Sequence, residues 1–286
     1  MIDDYAVWRP ASGPLSPAAW GVGYRQAGID PAVHRGLPSP WLTMIVTLDD
    51  PLVIASHPDP RQPASAHDFL LGGLHTSPAL VTHQGRQSGL QLGLTPLGAR
   101  ALLGVPAAEL ASLDLEASDV LGRLAGEIRE RVLAAPGWAA RFAVLEQFLT
   151  ARVRAADLPA PRPEVGYAWG RLRRSRGTVS VADLAAETGW SARHLGAQFR
   201  AETGLSPKSA ARVIRFDLAR RLLLTRARAA APGPARSLLA DLAADCGYYD
   251  QAHLARDFRD LAGCPPSVLL AEEFRNVQAA LEGEWE

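Results

Sequence analysis

The chain has 286 residues, 48% hydrophobic and 21% charged, with 30 basic and 30 acidic side chains and only two cysteines, Cys246 and Cys264. That composition excludes a disordered chain and a disulfide scaffold, and its length allows two domains of ordinary size. No apolar run approaches the ~18 residues of a membrane span, and Met1-Ile-Asp-Asp lacks the basic and apolar segments of a signal peptide, so a reducing cytoplasm is the expected compartment.

The first third reads as short strands divided by Pro, Gly and Asp turns: Trp41–Leu48, Leu52–Ser56, Phe69–Leu74, Leu80–His83 and Leu90–Leu94. Asp49-Asp50-Pro51 turns the chain between the first two, and the spacing suggests a small antiparallel sandwich or barrel. Five of the seven histidines (His34, His57, His67, His75 and His83) fall here. None forms an H-x-H pair and no carboxylate follows at ligand spacing, so they read as scattered turn and surface residues rather than a metal site.

Helical periodicity follows. Thr95-Pro96 gives an N-cap and a first-position proline that open a helix towards Leu103. Longer helices are expected at Ser118–Ala134 and Trp138–Arg154. In the latter, Phe142, Leu145 and Phe148 share a face that is either a dimer seam or an internal core. Three prolines in Asp157–Pro163 mark an extended linker.

Beyond the linker a motif occurs twice, about 58 residues apart. The first copy runs Val181-Ala-Asp-Leu-Ala-Ala-Glu-Thr-Gly189, then His194-Leu195-x-x-x-Phe199-Arg200 and Gly204-x-x-Pro207. The second runs Leu239-Ala-Asp-Leu-Ala-Ala-Asp-Cys-Gly247, then His253-Leu254-x-x-x-Phe258-Arg259 and Gly263-x-x-Pro266. Each reads as helix, glycine turn and second helix, the pattern of a helix-turn-helix unit whose second helix can enter a DNA major groove. Ser180-x-x-Asp183 resembles a capping box, and Ser191 and Asp250 are placed to cap the two second helices. A bridging helix over Ser209–Leu224 joins the units, and Ala229–Ala235 interrupts the helices.

The zero net charge hides an uneven distribution. Residues 1–170 carry 13 Arg and 16 acidic groups, residues 171–263 carry 16 basic and 9 acidic groups, and residues 264–286 carry 1 Arg and 5 Glu. The positive block coincides with the repeat, as a phosphate-facing segment requires. If Leu195 and Phe199 face inward, Arg193, Gly196, Ala197 and Arg200 lie on or beside the outer face. In the second unit Gln251, His253, Arg256 and Arg259 lie near the groove. Arg193 and Arg256 suit guanine, Gln251 suits adenine, and Arg200 suits phosphate.

These residues resemble the DNA-binding domain of AraC/XylS-type transcriptional regulators from about Val165 to Phe274. The match covers Arg215-Phe-x-x-Ala219-x-x-Leu222-Leu223 and Asp241-Leu-Ala-x-x-Cys-Gly247-Tyr-x-Asp250-Gln251-x-His253-Leu254-x-Arg256-x-Phe258-Arg259. The resemblance implies that two recognition helices enter successive major grooves. The first unit departs from the pattern, with Ala197 two residues before its core phenylalanine, where the family usually has arginine. Residues 1–156 resemble the sensor halves of such regulators more loosely, which implies a cupin-like effector-binding or dimerising domain.

The expected fold is α+β: a small antiparallel β (cupin-like) sensor domain with helices over 1–156, a linker at 157–163, an all-α double helix-turn-helix domain over 164–275 joined by a linker helix, and an acidic tail at 276–286. Promoter DNA is the expected partner; RNA polymerase, a small-molecule effector and a second copy are further candidates. No Walker, G-x-S-x-G or dinucleotide motif is present, so neither an enzyme nor a cofactor is expected. The alternative is a ligand- or partner-binding protein whose DNA-binding domain is weak or vestigial.

Overall fold

The computed structural model describes residues 4–10, 15, 19–229 and 235–273. Nine strands come first: β1 (Asp4–Trp8), β2 (Ala19–Ala27), β3 (Ala32–Gly36), β4 (Leu42–Thr47), β5 (Leu52–Ser56), β6 (Ser65–His67), β7 (Phe69–Gly72), β8 (Ala79–His83) and β9 (Arg86–Leu94). A 3-10 turn at Pro96–Gly98, helix α1 (Ala99–Leu103), a second 3-10 turn at Ala107–Leu110 and strand β10 (Asp114–Glu116) follow. Helices α2 (Ser118–Leu121), α3 (Arg123–Ala134) and α4 (Gly137–Arg154) complete the first half.

The strands form two antiparallel sheets, one in the order β1-β2-β9-β4-β7-β10 and the other β3-β8-β5-β6. Side-chain alternation assigns the faces of the larger sheet. Leu42, Met44, Val46, Phe69, Leu71, Leu90, Leu92 and Leu94 join the main core with α1, α3 and α4. Ile45 and Leu70, on the opposite face, cluster with Leu52, Ile54, Ala79 and Val81 of the smaller sheet. The larger sheet is therefore sandwiched between helices and a second sheet. The turn at Asp49–Pro51 carries the chain from one sheet to the other, since β4 and β5 belong to different sheets.

The five strands expected from the sequence are present, with ends shifted by up to four residues. Five more, β1, β2, β3, β6 and β10, are additions. Strand β2 hides because Gly21 and Gly23 break its alternation, yet those glycines are required by packing. A Cβ on Gly23 would overlap the Trp138 ring, and one on Gly21 would lie 3.0 Å from Phe142. The aromatic residues of α4 thus rest on bare strand backbone, with Phe142 stacked on Trp8 at 5.8 Å. Phe142, Leu145 and Phe148 are buried in this core, so their shared face is internal.

Three local expectations change. The helix expected over Ser118–Ala134 is broken at Gly122, whose φ of 58° ends α2 and starts α3. Pro96 takes the first helical position, but Thr95 makes no side-chain cap and the first turn is 3-10. The histidines are not scattered on the surface, because His34, His57 and His67 are buried.

After the linker the chain is helical: α5 (Pro163–Arg174), α6 (Val181–Thr188), α7 (Ala192–Thr203), α8 (Pro207–Ala229), α9 (Ala235–Asp245), α10 (Gln251–Ala262) and α11 (Pro266–Glu273). The bridging helix α8 has 23 residues, giving a rod of about 34 Å. It exceeds the expected Ser209–Leu224 by two residues at its start and five at its end, where Thr225–Ala229 continue the helix past the last apolar residue of the pattern. Most of the loop Ala229–Ala235 and all of the acidic tail 276–286 lie outside the described residues.

Gly23→Val should destabilise the chain by about 1–3 kcal/mol, because the added side chain must displace Trp138. Urea unfolding followed by tryptophan fluorescence measures this, and an unchanged midpoint would mean that α4 does not rest on β2 as described.

Candidate nucleic-acid interface

In the first unit, Ser180 caps α6, its hydroxyl accepting the Asp183 backbone N–H at 3.0 Å and donating to the Asp183 carboxylate at 2.7 Å. The aspartate is too short to reach back to the cap's own N–H, so half of a capping box forms. Gly189 ends α6 in the left-handed region with φ 71°. Ser191 then caps α7, accepting the His194 N–H at 3.2 Å. Leu184, Ala185, Leu195 and Phe199 are buried, and Arg193, Ala197 and Arg200 are exposed with Gly196 beside them.

The second unit repeats this arrangement. Gly247 has φ 71°, and Asp250 caps α10 by accepting the His253 N–H at 2.6 Å. Leu242, Ala243, Leu254 and Phe258 are buried, while Gln251, Arg256 and Arg259 are exposed. His253 is only half-exposed. Its ring packs edge-on against Tyr248 at 5.1 Å and faces the Tyr249 N–H at 3.4 Å, which ties it to the turn. Ser191 and Asp250 likewise spend their side chains on caps. The sequence reading therefore combines two kinds of residue: Arg193, Arg200, Gln251, Arg256 and Arg259 project, whereas Ser191, Asp250 and His253 position the helices.

Tyr249 is 93% exposed beside Asp250 at the start of α10, a position the sequence pattern did not single out. The extra residue between Gly247 and the cap, absent from the first unit, is the signal that marks it.

A charge cluster and an aromatic pair lock α8 to the second unit. Arg212 donates to Asp257 at 2.7 Å and to Asp260 at 2.7 Å, joining α8 to α10. Phe216 packs edge-on against Phe258 at 5.0 Å. Cys246 is buried beside the turn, and desolvation pushes its thiol up to about 11, so it behaves as a small apolar residue.

The two units also touch the β half. Arg100 of α1 donates to Glu202 of α7 at 2.9 Å, and a Cβ on Gly204 would overlap Ala111. Arg35 of β3 donates to Glu272 of α11 at 2.7 Å and to the Ala262 carbonyl at 3.1 Å, with Gly263 alongside. Between these contacts opens a cavity of about 590 Å³. Its walls are the facing surfaces of the two sheets (Ile45, Leu52, Ile54, Leu70, Val81, Gln91), with Gly36, Gly72, Gly73, Gly93 and Ala79 among the lining residues. Arg173, Arg176, Asp217, Arg220, Arg221 and Glu273 line its helical side. The Gln91 side-chain amide oxygen Oε1 and His34 Nδ1 are buried on this wall without hydrogen-bond partners. Burial, reinforced by His83, pushes His34 down to about 4, so it faces the cavity as a neutral imidazole.

Two glycine-turned helix pairs, each with a capped second helix, define a double helix-turn-helix protein. Residues 184–272 match the family model described as a helix-turn-helix domain. The carboxy-terminal region is accordingly a helix-turn-helix domain. Among solved structures, ToxT from Vibrio cholerae is similar at 12% identity with a TM-score of 0.50, covering 89% of this chain and 98% of that one. ToxT bound to (E)-4-(8-methylnaphthalen-1-yl)but-3-enoic acid matches at 12% identity and a TM-score of 0.50, over 89% of this chain and 99% of that one. At this identity the likeness bears on the fold: β-sheets followed by a helical region. The comparison with curated proteins returns no match. Among the described residues no helix is long and apolar enough to cross a membrane, and no group of His, Cys, Asp and Glu has the arrangement of a metal site.

The two turn glycines differ in their surroundings. Gly189 has open space where a Cβ would stand, whereas a Cβ on Gly247 would lie 2.6 Å from Thr178. Gly189→Ala should cost about 1–2 kcal/mol through left-handed backbone strain alone. Gly247→Ala should cost more, and thermal unfolding of the pair measures the difference. Equal losses would show that Thr178 does not press on the second turn.

Proposed function

We propose that the chain is a sequence-specific regulator that reads promoter DNA through α7 and α10 and is modulated by a small anionic effector held in the cavity of the sandwich. The observation that carries the first part is the projection of Arg193, Arg200, Gln251, Arg256 and Arg259 from two otherwise buried, capped units. Arginine and glutamine can pair bidentately with guanine and adenine edges in the major groove. The code is uneven. Arg256 stands two residues before Phe258, while Ala197 holds the equivalent place before Phe199, so the second unit supplies the stronger base contact. The same Ala197 favours the alternative, a ligand-binding protein with a weak DNA-binding module.

The effector reading rests on the chemistry of the cavity. Apolar sheet residues form its floor, and six arginines (Arg9, Arg35, Arg173, Arg176, Arg220 and Arg221) outnumber Asp114, Asp217 and Glu273 around it. Arg176 is held at φ 55°, an uncommon conformation for a residue with a side chain, at the end of α5 where it lines the cavity. A ligand with an acidic head and an apolar body satisfies both surfaces, as does the carboxylic acid named in the ToxT complex. Such a ligand touches both halves, so it favours whichever arrangement of the halves binds it better. This reading places the protein in the cytoplasm with its DNA.

Sites selected from random duplexes at physiological salt test the DNA reading. Arg256→Ala should lose about 1–3 kcal/mol on the selected site and relax preference at one base pair. Arg200→Ala should weaken all sequences alike. Uniform loss in both variants would remove base reading from α10. For the effector, a carboxylic acid with a medium-length apolar tail should raise the melting temperature, while the matching alcohol should not. Equal shifts from both would discard the anionic class.

A further inference from the structure

A chain of five buried or half-buried polar side chains crosses from one sheet to the other, away from the DNA-binding units. His57, in the loop after β5, approaches Asp114 of β10 with Nδ1 3.0 Å from Oδ2. Its Nε2 lies 3.0 Å from the Ser65 hydroxyl of β6. That hydroxyl also lies 2.6 Å from His67 Nε2, and His67 Nδ1 is 3.3 Å from Glu116 Oε2 of β10. The His57 side chain is 1% exposed, His67 7% and Asp114 9%.

Proton counting decides the state of this chain. A carboxylate only accepts, so His57 Nδ1 must carry a proton to bond Asp114. Its Nε2 is then free to accept the Ser65 proton. Serine has only one, so His67 Nε2 must donate to the Ser65 oxygen. If His67 is neutral, its bare Nδ1, itself buried and without a hydrogen-bond partner, lies against the Glu116 carboxylate, whose side chain is 34% exposed. If it holds a second proton, the same contact becomes an ion pair. Exchanging the roles of the two rings moves the charge to His57 and leaves the count unchanged.

We propose that Asp114, His57, Ser65, His67 and Glu116 form a proton-binding site, in which the folded chain holds one proton more than the neutral imidazoles and the hydroxyl supply. The surrounding groups fix the location. Glu116 is oriented by the Phe69 N–H on its other oxygen at 3.0 Å, and Gln62 brackets the Asp114 backbone at 3.0 and 3.2 Å. On the adjoining elements Asp59 is paired with Arg61, and Asp68 with Arg129 of α3. His75 also faces Asp114, but burial pushes it below its ordinary value and its Nδ1 is bonded to the Ser77 carbonyl at 2.6 Å. Asp114–His57–Ser65 has the order of a nucleophilic triad. Here, however, the hydroxyl oxygen already accepts from a second imidazole, which opposes attack and suits storage of a proton.

The site has a structural consequence. Strand β10 begins just after Ser112, which is held at φ 62°, and Ala108 and Ala111 immediately before it seat Gly204 of the first DNA-binding unit. The stored proton ties the strand leaving that seat to the edge of the smaller sheet. The sign of its effect follows from which state binds it. The folded chain does, so raising the pH opposes folding through this site.

Ser65→Ala tests the proposal, because without the shared hydroxyl each neutral ring can serve its own carboxylate. In 15N-resolved imidazole spectra of the full chain near neutral pH, one of the two rings should show both nitrogens protonated. In Ser65→Ala both rings should be neutral. The unfolding constant of the parent should rise up to about tenfold more per pH unit than that of the variant, over the range where unfolded-state imidazoles are already neutral. If Ser65→Ala does not fold, Glu116→Gln gives the same readout, since its amide can donate to the bare His67 nitrogen. Two neutral rings in the parent, a cationic ring that persists in the variant, or equal pH slopes would overturn the proposal.

Discussion

The ends of the two recognition helices, at Gly204 and Gly263, carry much of the connection between DNA-binding units and β-sandwich. Both glycines are left-handed, and both stand at equivalent places in the repeat. At Gly204 the backbone lies so close to Ala108 and Ala111 that no side chain fits, and the neighbouring Glu202 is 7% exposed with Arg100 as its partner. Removing one partner of such a buried pair leaves an uncompensated charge, at a cost of about 3–5 kcal/mol. The second seat is wetter, since Arg35 and Glu272 are 21% and 27% exposed. The seats differ at the carboxylate, 7% exposed in the first and 27% in the second, while Arg100 and Arg35 are alike at 26% and 21%.

That asymmetry complements the asymmetry of the recognition surfaces. Helix α7, seated through the drier carboxylate, presents Gly196 and Ala197 between Arg193 and Arg200, while α10 presents Gln251, Arg256 and Arg259. The cavity lies between the two seats, and its helical wall includes α8 and α11, the elements that support the second unit. Arg220 of α8 and Glu273 of α11, paired at 3.6 Å, line it together. In the proposed function, effector chemistry and DNA geometry meet on the same two helices.

The helical half was legible because its signals are local. Periodicity, a cap at Ser191 or Asp250 and a glycine at 189 or 247 each specify a helix boundary within a few residues. The sandwich was less legible because its determinants are distant. Gly21 and Gly23 look like strand breakers until Trp138 and Phe142, more than a hundred residues later, are seen resting on them. The three-residue strand β10 has too little alternation to declare itself, yet it supplies Asp114 and Glu116. For the same reason the histidines read as surface residues: their carboxylate partners lie about fifty residues away in sequence and arrive only when the two sheets close. Gly204 and Gly263 were visible as parts of a motif, but their use as seats depends on surfaces contributed by the other half.

In the proposed function α7 and α10 occupy neighbouring grooves of one duplex at a separation set by α8. The direct measurement is affinity for a selected two-part site into which about five or about ten base pairs have been inserted between the parts, half a helical turn or a full one. A fixed pair of helices predicts that the half-turn insertion moves the parts to opposite faces of the duplex and reduces binding to that of the stronger part alone. Affinity indifferent to both insertions would contradict the account, because the two units would then be reading DNA independently.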